Sequence, residues 1–135
     1  MSVSSMVDSI LGNDTLDFAE CEDSKCQEIE KLIFEYGWGA VQEVMINILL
    51  DGKKQAADYE VIAEVFWGAA LDNRIISANK VIALLYHRLP LDNSSNENNL
   101  AWSIAAKLKK VGYLSDYDPL QDEGVIQARI DYGIV

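Results

Sequence analysis

Cysteine, histidine and proline are scarce: Cys21, Cys26, His87, Pro90 and Pro119 are their only occurrences in 135 residues. A structural zinc site takes four Cys or His ligands, so the two thiols and one imidazole fall one short even if they converge. The C-x4-C spacing is not the C-x-x-C of a redox pair, and the flanking Glu20, Glu22 and Asp23 disfavour a thiolate. Asp17, Glu20, Glu22 and Asp23 are hard oxygen donors in a short span, but they do not follow the D-x-[DN]-x-[DN]-G calcium loop, and no glycine supplies its sharp turn. No metal and no cofactor are expected.

Catalytic signatures are missing as well. Gly37-Trp38-Gly39 and Gly52-Lys53-Lys54 fit neither the P-loop nor the dinucleotide spacing. His87, in LLYHRL, has no motif-bearing cysteine and no serine elbow to serve, so it reads as an ordinary helical histidine. The sequence names no catalytic residue, and a protein that is not an enzyme is expected. A small-molecule enzyme with a helical pocket would need a ligand or metal that nothing announces.

Long apolar runs are absent too. No stretch approaches the roughly 18 residues that a membrane helix needs. The opening MSVSSMVDSILGND has no basic region and carries Asp8 before any apolar core. Neither a membrane span nor a standard secretion signal is expected, which points to the cytoplasm.

Positive charge is the last shortage: 11 Lys and Arg face 22 Asp and Glu, a formal net charge of −11. Such a chain repels a phosphate backbone, so direct binding of nucleic acid is not expected, whereas a basic protein would be drawn to it. Acidity for solubility alone is the plainer reading.

What is present is helical patterning. Half of the residues are hydrophobic, and the length suits one domain, so a single domain over 1–135 is expected. Val3, Met6, Val7, Ile10 and Leu11 repeat at helical steps up to Gly12. Ser24 and Gln27 read as a capping box, followed by the stripe Ile29, Leu32, Ile33, Tyr36 and a stop at Gly37. Trp38, Val41, Val44, Met45, Ile48 and Leu49 line a third helix that stops at Asp51-Gly52.

A fourth helix from about Asp58 carries Tyr59, Ile62, Ala63, Phe66, Ala69 and Ala70, with Val65 and Trp67 widening its apolar face. Ser77 starts a fifth, which Pro90 forbids beyond Leu89. Leu100 to Val111 form a sixth, ending at Gly112. Asp118 reads as the N-cap of a last helix with Pro119 as its first residue, Asp122 and Glu123 in its first turn, and Ile126, Arg129 and Ile130 sharing a face. With no period-2 strand and no fixed repeat, the expectation is an all-α bundle, or stacked helical hairpins, of about six or seven helices.

Acid is concentrated at the start. Nine of the first forty residues are Asp or Glu, against Lys25 and Lys31, so the segment from about 8 to 35 carries most of the excess.

The stretch YEVIAEVFWGAALDNRIISANKVIALLYHRLPLDNSSNENNLAWSIAAKLKKVGYLSDYDPL, Tyr59 to Leu120, resembles the small helical immunity proteins of bacterial polymorphic toxin and contact-dependent growth inhibition systems. The likeness rests on AEVFWGAALD, KVIALLY, WSIAAKL and YDPL, which are scaffold strings rather than catalytic signatures. It covers a little under half of the chain and implies a cytoplasmic antidote that binds a toxin domain and blocks its active site. Many such toxins are basic nucleases, and the likeness extends to antidotes of EndoU-like RNases. It carries over no catalytic residue and does not locate the interface.

A nuclease site lined with cations can be filled by carboxylates acting as a substrate mimic. Asp17, Glu20, Glu22, Asp23, Glu28 and Glu30 are the expected toxin contacts, with Trp38 or Trp67 as an apolar anchor, since Trp is enriched at interface hot spots. The rival reading keeps the fold and makes the chain an adaptor or chaperone that holds a basic client without inhibiting it. Oligomeric state leaves no mark on the sequence.

Overall fold

The computed structural model describes residues 2–12, 21–72, 74–75, 77–89, 100–112 and 116–134, with side chains at 21–23 outside the description. Among these residues the protein is all-α, with seven helices and no strand: α1 (Val3–Leu11), α2 (Cys21–Tyr36), α3 (Trp38–Asp51), α4 (Ala56–Leu71), α5 (Ala78–Arg88), α6 (Leu100–Lys109) and α7 (Glu123–Asp131). The chain divides into two compact units, Met1–Val65 and Phe66–Val135, with the division falling inside α4.

In the first unit α1, α2 and α3 pack on one another. Ser2 caps α1, its hydroxyl accepting from the Ser5 N–H. Val7, Ile29, Val41, Met45 and Leu49 are fully buried, and each is worth roughly 1.5–3 kcal/mol relative to exposure. Lys25 is buried among them, and its ammonium donates to the carbonyl of Leu11 at 2.7 Å. That carbonyl is one of those left unpaired at the end of α1, so the lysine ties α2 to α1 by a charge-assisted bond. Gly37 separates α2 from α3 with φ +94, a conformation that side chains strongly disfavour. Its N–H also donates to the carbonyl of Ile33.

In the second unit α5 packs against α6 and α7, and α7 against a short 3₁₀ turn, Pro119–Gln121. Ile82, Ala83, Ala105, Val125 and Ala128 form a buried cluster, flanked by Tyr86, Leu108 and Tyr117. Three alanines in this cluster let the helices approach closely. Gly124 extends the same logic: a Cβ there would clash with the side-chain amide of Asn79.

Several sequence boundaries shift. Ser24 is not an N-cap, because α2 already begins at Cys21. Tyr36, expected on the apolar stripe, is exposed at the last helical position before Gly37 turns the chain. α4 begins at Ala56, and Asp58 reaches back to accept from the Gln55 N–H, the reciprocal half of a capping box. Ser77 precedes α5 as predicted, but its side chain makes no capping bond. α6 ends at Lys109, short of Gly112, with Lys110 in the left-handed region at φ +59.

The last predicted helix is two elements. Asp118 caps the 3₁₀ turn, accepting from the Leu120 N–H, and Asp122 is the N-cap of α7, accepting from the N–H groups of Gly124 and Val125. The inward face of α7 is therefore Val125 and Ala128, with Ile126 and Ile130 exposed. The polar stretch Leu91 to Asn99, which reads from its sequence as a loop, lies outside the described residues.

Candidate protein-binding surface on α2

Charge is partitioned between the two units. Met1–Val65 holds fourteen Asp and Glu against four lysines, a net of −10, whereas Phe66–Val135 holds eight against seven Lys and Arg, a net of −1 with His87 neutral. An acidic surface is therefore sought in the first unit, where α2 carries five Asp and Glu, more than α1, α3 or the part of α4 in that unit.

Ile29, Leu32 and Ile33 turn the inner face of α2 into the core, which fixes the outer face by helical geometry. There Cys26, Gln27, Glu30, Lys31, Phe34 and Glu35 line a shallow groove. Glu28, Glu30 and Glu35 are exposed carboxylates. Lys31 pairs with Glu28 at 2.9 Å, one turn apart, so the basic residue on this face is already answered. At the other end of the segment Asp8 pairs with Lys54 at 2.9 Å.

Phe34 is 95 % exposed. It follows Ile33 directly, so it is rotated about 100° from the buried stripe and its ring stands among the acids. Adjacency to the stripe did not reveal this, since Leu32 and Ile33 are themselves adjacent and both buried.

The expected contact residues are thus only partly brought together. Glu28 and Glu30 lie on the outer part of α2. Glu22 and Asp23 occupy its first turn, where carboxylates are favoured by the helix dipole, and their side chains are outside the description. Asp17 and Glu20 lie outside the described residues. Trp38, half-buried, opens α3 just beyond Gly37, and Trp67, also half-buried, belongs to the second unit. Trp102 is buried, its indole N–H donating to the Tyr117 carbonyl at 3.0 Å.

Cys26 is a half-buried thiol whose Sγ donates to the Val61 carbonyl at 3.8 Å. No group of three or more His, Cys, Asp or Glu among the described residues comes together to hold a metal ion, and no described helix is long and apolar enough to cross a membrane.

Polar side chains do converge in the second unit. The Tyr117 hydroxyl donates to Asp122 at 2.5 Å, and Lys109 bridges Asp122 at 3.3 Å and Asn79. The Tyr117 hydrogen bond, helped by Lys109 and the Val125 N–H against the effect of burial, holds the Asp122 carboxyl below its ordinary range. Burial first, then Asp122, pushes Tyr117 up; burial and Asp118 do the same to Tyr86. Every one of these contacts serves the start of α7, so the cluster reads as a helix anchor. His87 is exposed on α5, and partial desolvation with the cations of Arg88 and Arg129 lowers its pKa.

No protein-family model matches the chain, and no curated protein and no solved structure matches it.

Proposed function

We propose that this chain is an immunity protein: a non-enzymatic, cytoplasmic antidote that binds the basic toxin domain of a bacterial polymorphic toxin or contact-dependent growth inhibition system and occludes its active site. The toxin class that fits is a nuclease, with an EndoU-like RNase as the specific expectation. The supporting observation is the charge partition, −10 on the first unit against −1 on the second, with α2 presenting Glu28, Glu30 and Glu35 outward. A nuclease holds phosphate with cations, so an acidic helix competes for the same groups and is steered to them over a distance set by salt.

The test is a cleavage assay on total tRNA, using the C-terminal domain encoded immediately upstream of this chain as the nuclease, with and without equimolar protein at low and moderate salt. Protection that weakens as salt rises is expected. Binding with cleavage intact would make the chain an adaptor or chaperone, and absence of binding would overturn the proposal. Replacing Glu22, Asp23, Glu28 and Glu30 by lysine should abolish protection; unchanged affinity and salt dependence would move the interface off α2.

A further inference from the structure

We infer that the outer face of α2 is an arginine-accepting site, with Phe34 as the platform on which a guanidinium of a basic partner protein stacks and the flanking carboxylates as its hydrogen-bond acceptors. This deepens the immunity reading and rests on it for the identity of the partner, but not for the chemistry of the site.

Three observations place the site. Phe34 is 95 % exposed, so its ring contributes almost nothing to the fold. Glu30 lies one helical turn before it, with Cβ atoms about 5–6 Å apart by helix geometry, and Glu35 lines the same groove. The groove's lysine, Lys31, is engaged by Glu28 and leaves the negative sign of the face intact.

Charge complementarity selects the occupant. A second copy would bring the same carboxylates against these and be repelled, and nucleic acid or an anionic membrane would be repelled for the same reason. A purely apolar partner would bury the ring but take the neighbouring carboxylates out of water at a desolvation cost that it cannot offset. A cation answers both demands. Between the two basic side chains, the guanidinium is planar, sheds water more readily, stacks on an aromatic face and offers a fork of N–H groups to a carboxylate at once, whereas an ammonium is a compact and strongly hydrated point charge. An exposed aromatic beside carboxylates thus discriminates arginine from lysine, which an acidic surface alone does not.

The experiment is a titration of the folded protein with two blocked peptides of equal length and charge, one with three arginines and one with three lysines, followed by amide and ring shifts. The arginine peptide is expected to bind about threefold more tightly and to shift Phe34, Glu30 and Glu35 most. Phe34→Ala should remove that preference, Phe34→Leu should lose it while keeping apolar area, and Phe34→Trp should restore it. These replacements touch no core contact, and circular dichroism verifies the fold.

Equal affinity for both peptides, a preference that survives Phe34→Ala, or shifts centred elsewhere would each overturn the inference; so would Phe34-dependent self-association. With the upstream nuclease domain, Phe34→Ala should weaken binding about tenfold, the scale of an interface hot spot. Protection by the parent protein that Phe34→Ala leaves untouched would sink the platform and keep the immunity reading. Arginine preference without nuclease binding would do the reverse.

Discussion

At the scale of the residue, two helix ends bear comparison. In α7 the N–H of Ile134 donates to Arg129 and that of Gly133 to Ile130, with Gly133 at φ +66; in α6 the N–H of Val111 donates to Ala106 and that of Lys110 to Lys107, with Lys110 at φ +59. The hydrogen-bond pattern is the same, but α6 places a side chain where glycine is at ease. Lys110→Gly should therefore stabilise the protein by about 1 kcal/mol, read from urea denaturation, because it removes the left-handed strain. Asp122 is the other decisive residue, since it caps α7 and receives both Tyr117 and Lys109. Its carboxyl is depressed in the fold, so its contribution is fully present above the unfolded value and is lost as pH falls through the lower folded one. Asp122→Asn can keep the cap but removes the charge that Tyr117 and Lys109 answer, so it should lower stability at neutral pH by about 1 kcal/mol and flatten the decline of stability as pH falls through and below the ordinary carboxylate range.

At the scale of the element, the seating of α7 on α5 depends on Gly124 beside Asn79, and Asn79 is held by Lys109. Gly124→Ala gains helix propensity but forces Asn79 out of its bond, and a net loss of about 1 kcal/mol is expected. In an Asn79→Ala background the obstruction is gone, so the same replacement should turn stabilising; additive effects in the double-mutant cycle would refute the contact. The helices themselves were legible in sequence because their apolar residues recur at helical steps and because Gly12, Gly37, Asp51-Gly52 and Pro90 punctuate them. The split of the last helix was not, since Asp118-Pro119 and Asp122-Glu123 both carry N-terminal signals and only packing decides which one starts the α-helix. Likewise Ser24 has the chemistry of a cap, but the helix had already begun at Cys21. The acidic character of α2 was readable from its composition, whereas Phe34 was not, because a hydrophobic residue beside a buried stripe declares its exposure only once the stripe's direction is known.

At the scale of the whole molecule, the partition of charge gives the two units different dependence on salt. Self-repulsion of −10 within Met1–Val65 destabilises its compact form and is screened as ionic strength rises, whereas Phe66–Val135, at −1, has little to screen. Amide exchange in α1, α2 and α3 should therefore slow between 10 mM and about 500 mM salt, while α5, α6 and α7 change little. An equal response in both units would contradict the partition. α2 also divides its work by face, with Ile29, Leu32 and Ile33 committed to the core and Gln27, Glu30, Phe34 and Glu35 to solvent. Heritable variation on the outer positions is consequently uncoupled from folding: nearly every replacement there except proline should yield folded protein in a substitution library, against few at 29, 32 and 33. Were the partner proposed above to change its own surface, four letters could be changed in answer, with few ancestors along the way that fail to fold.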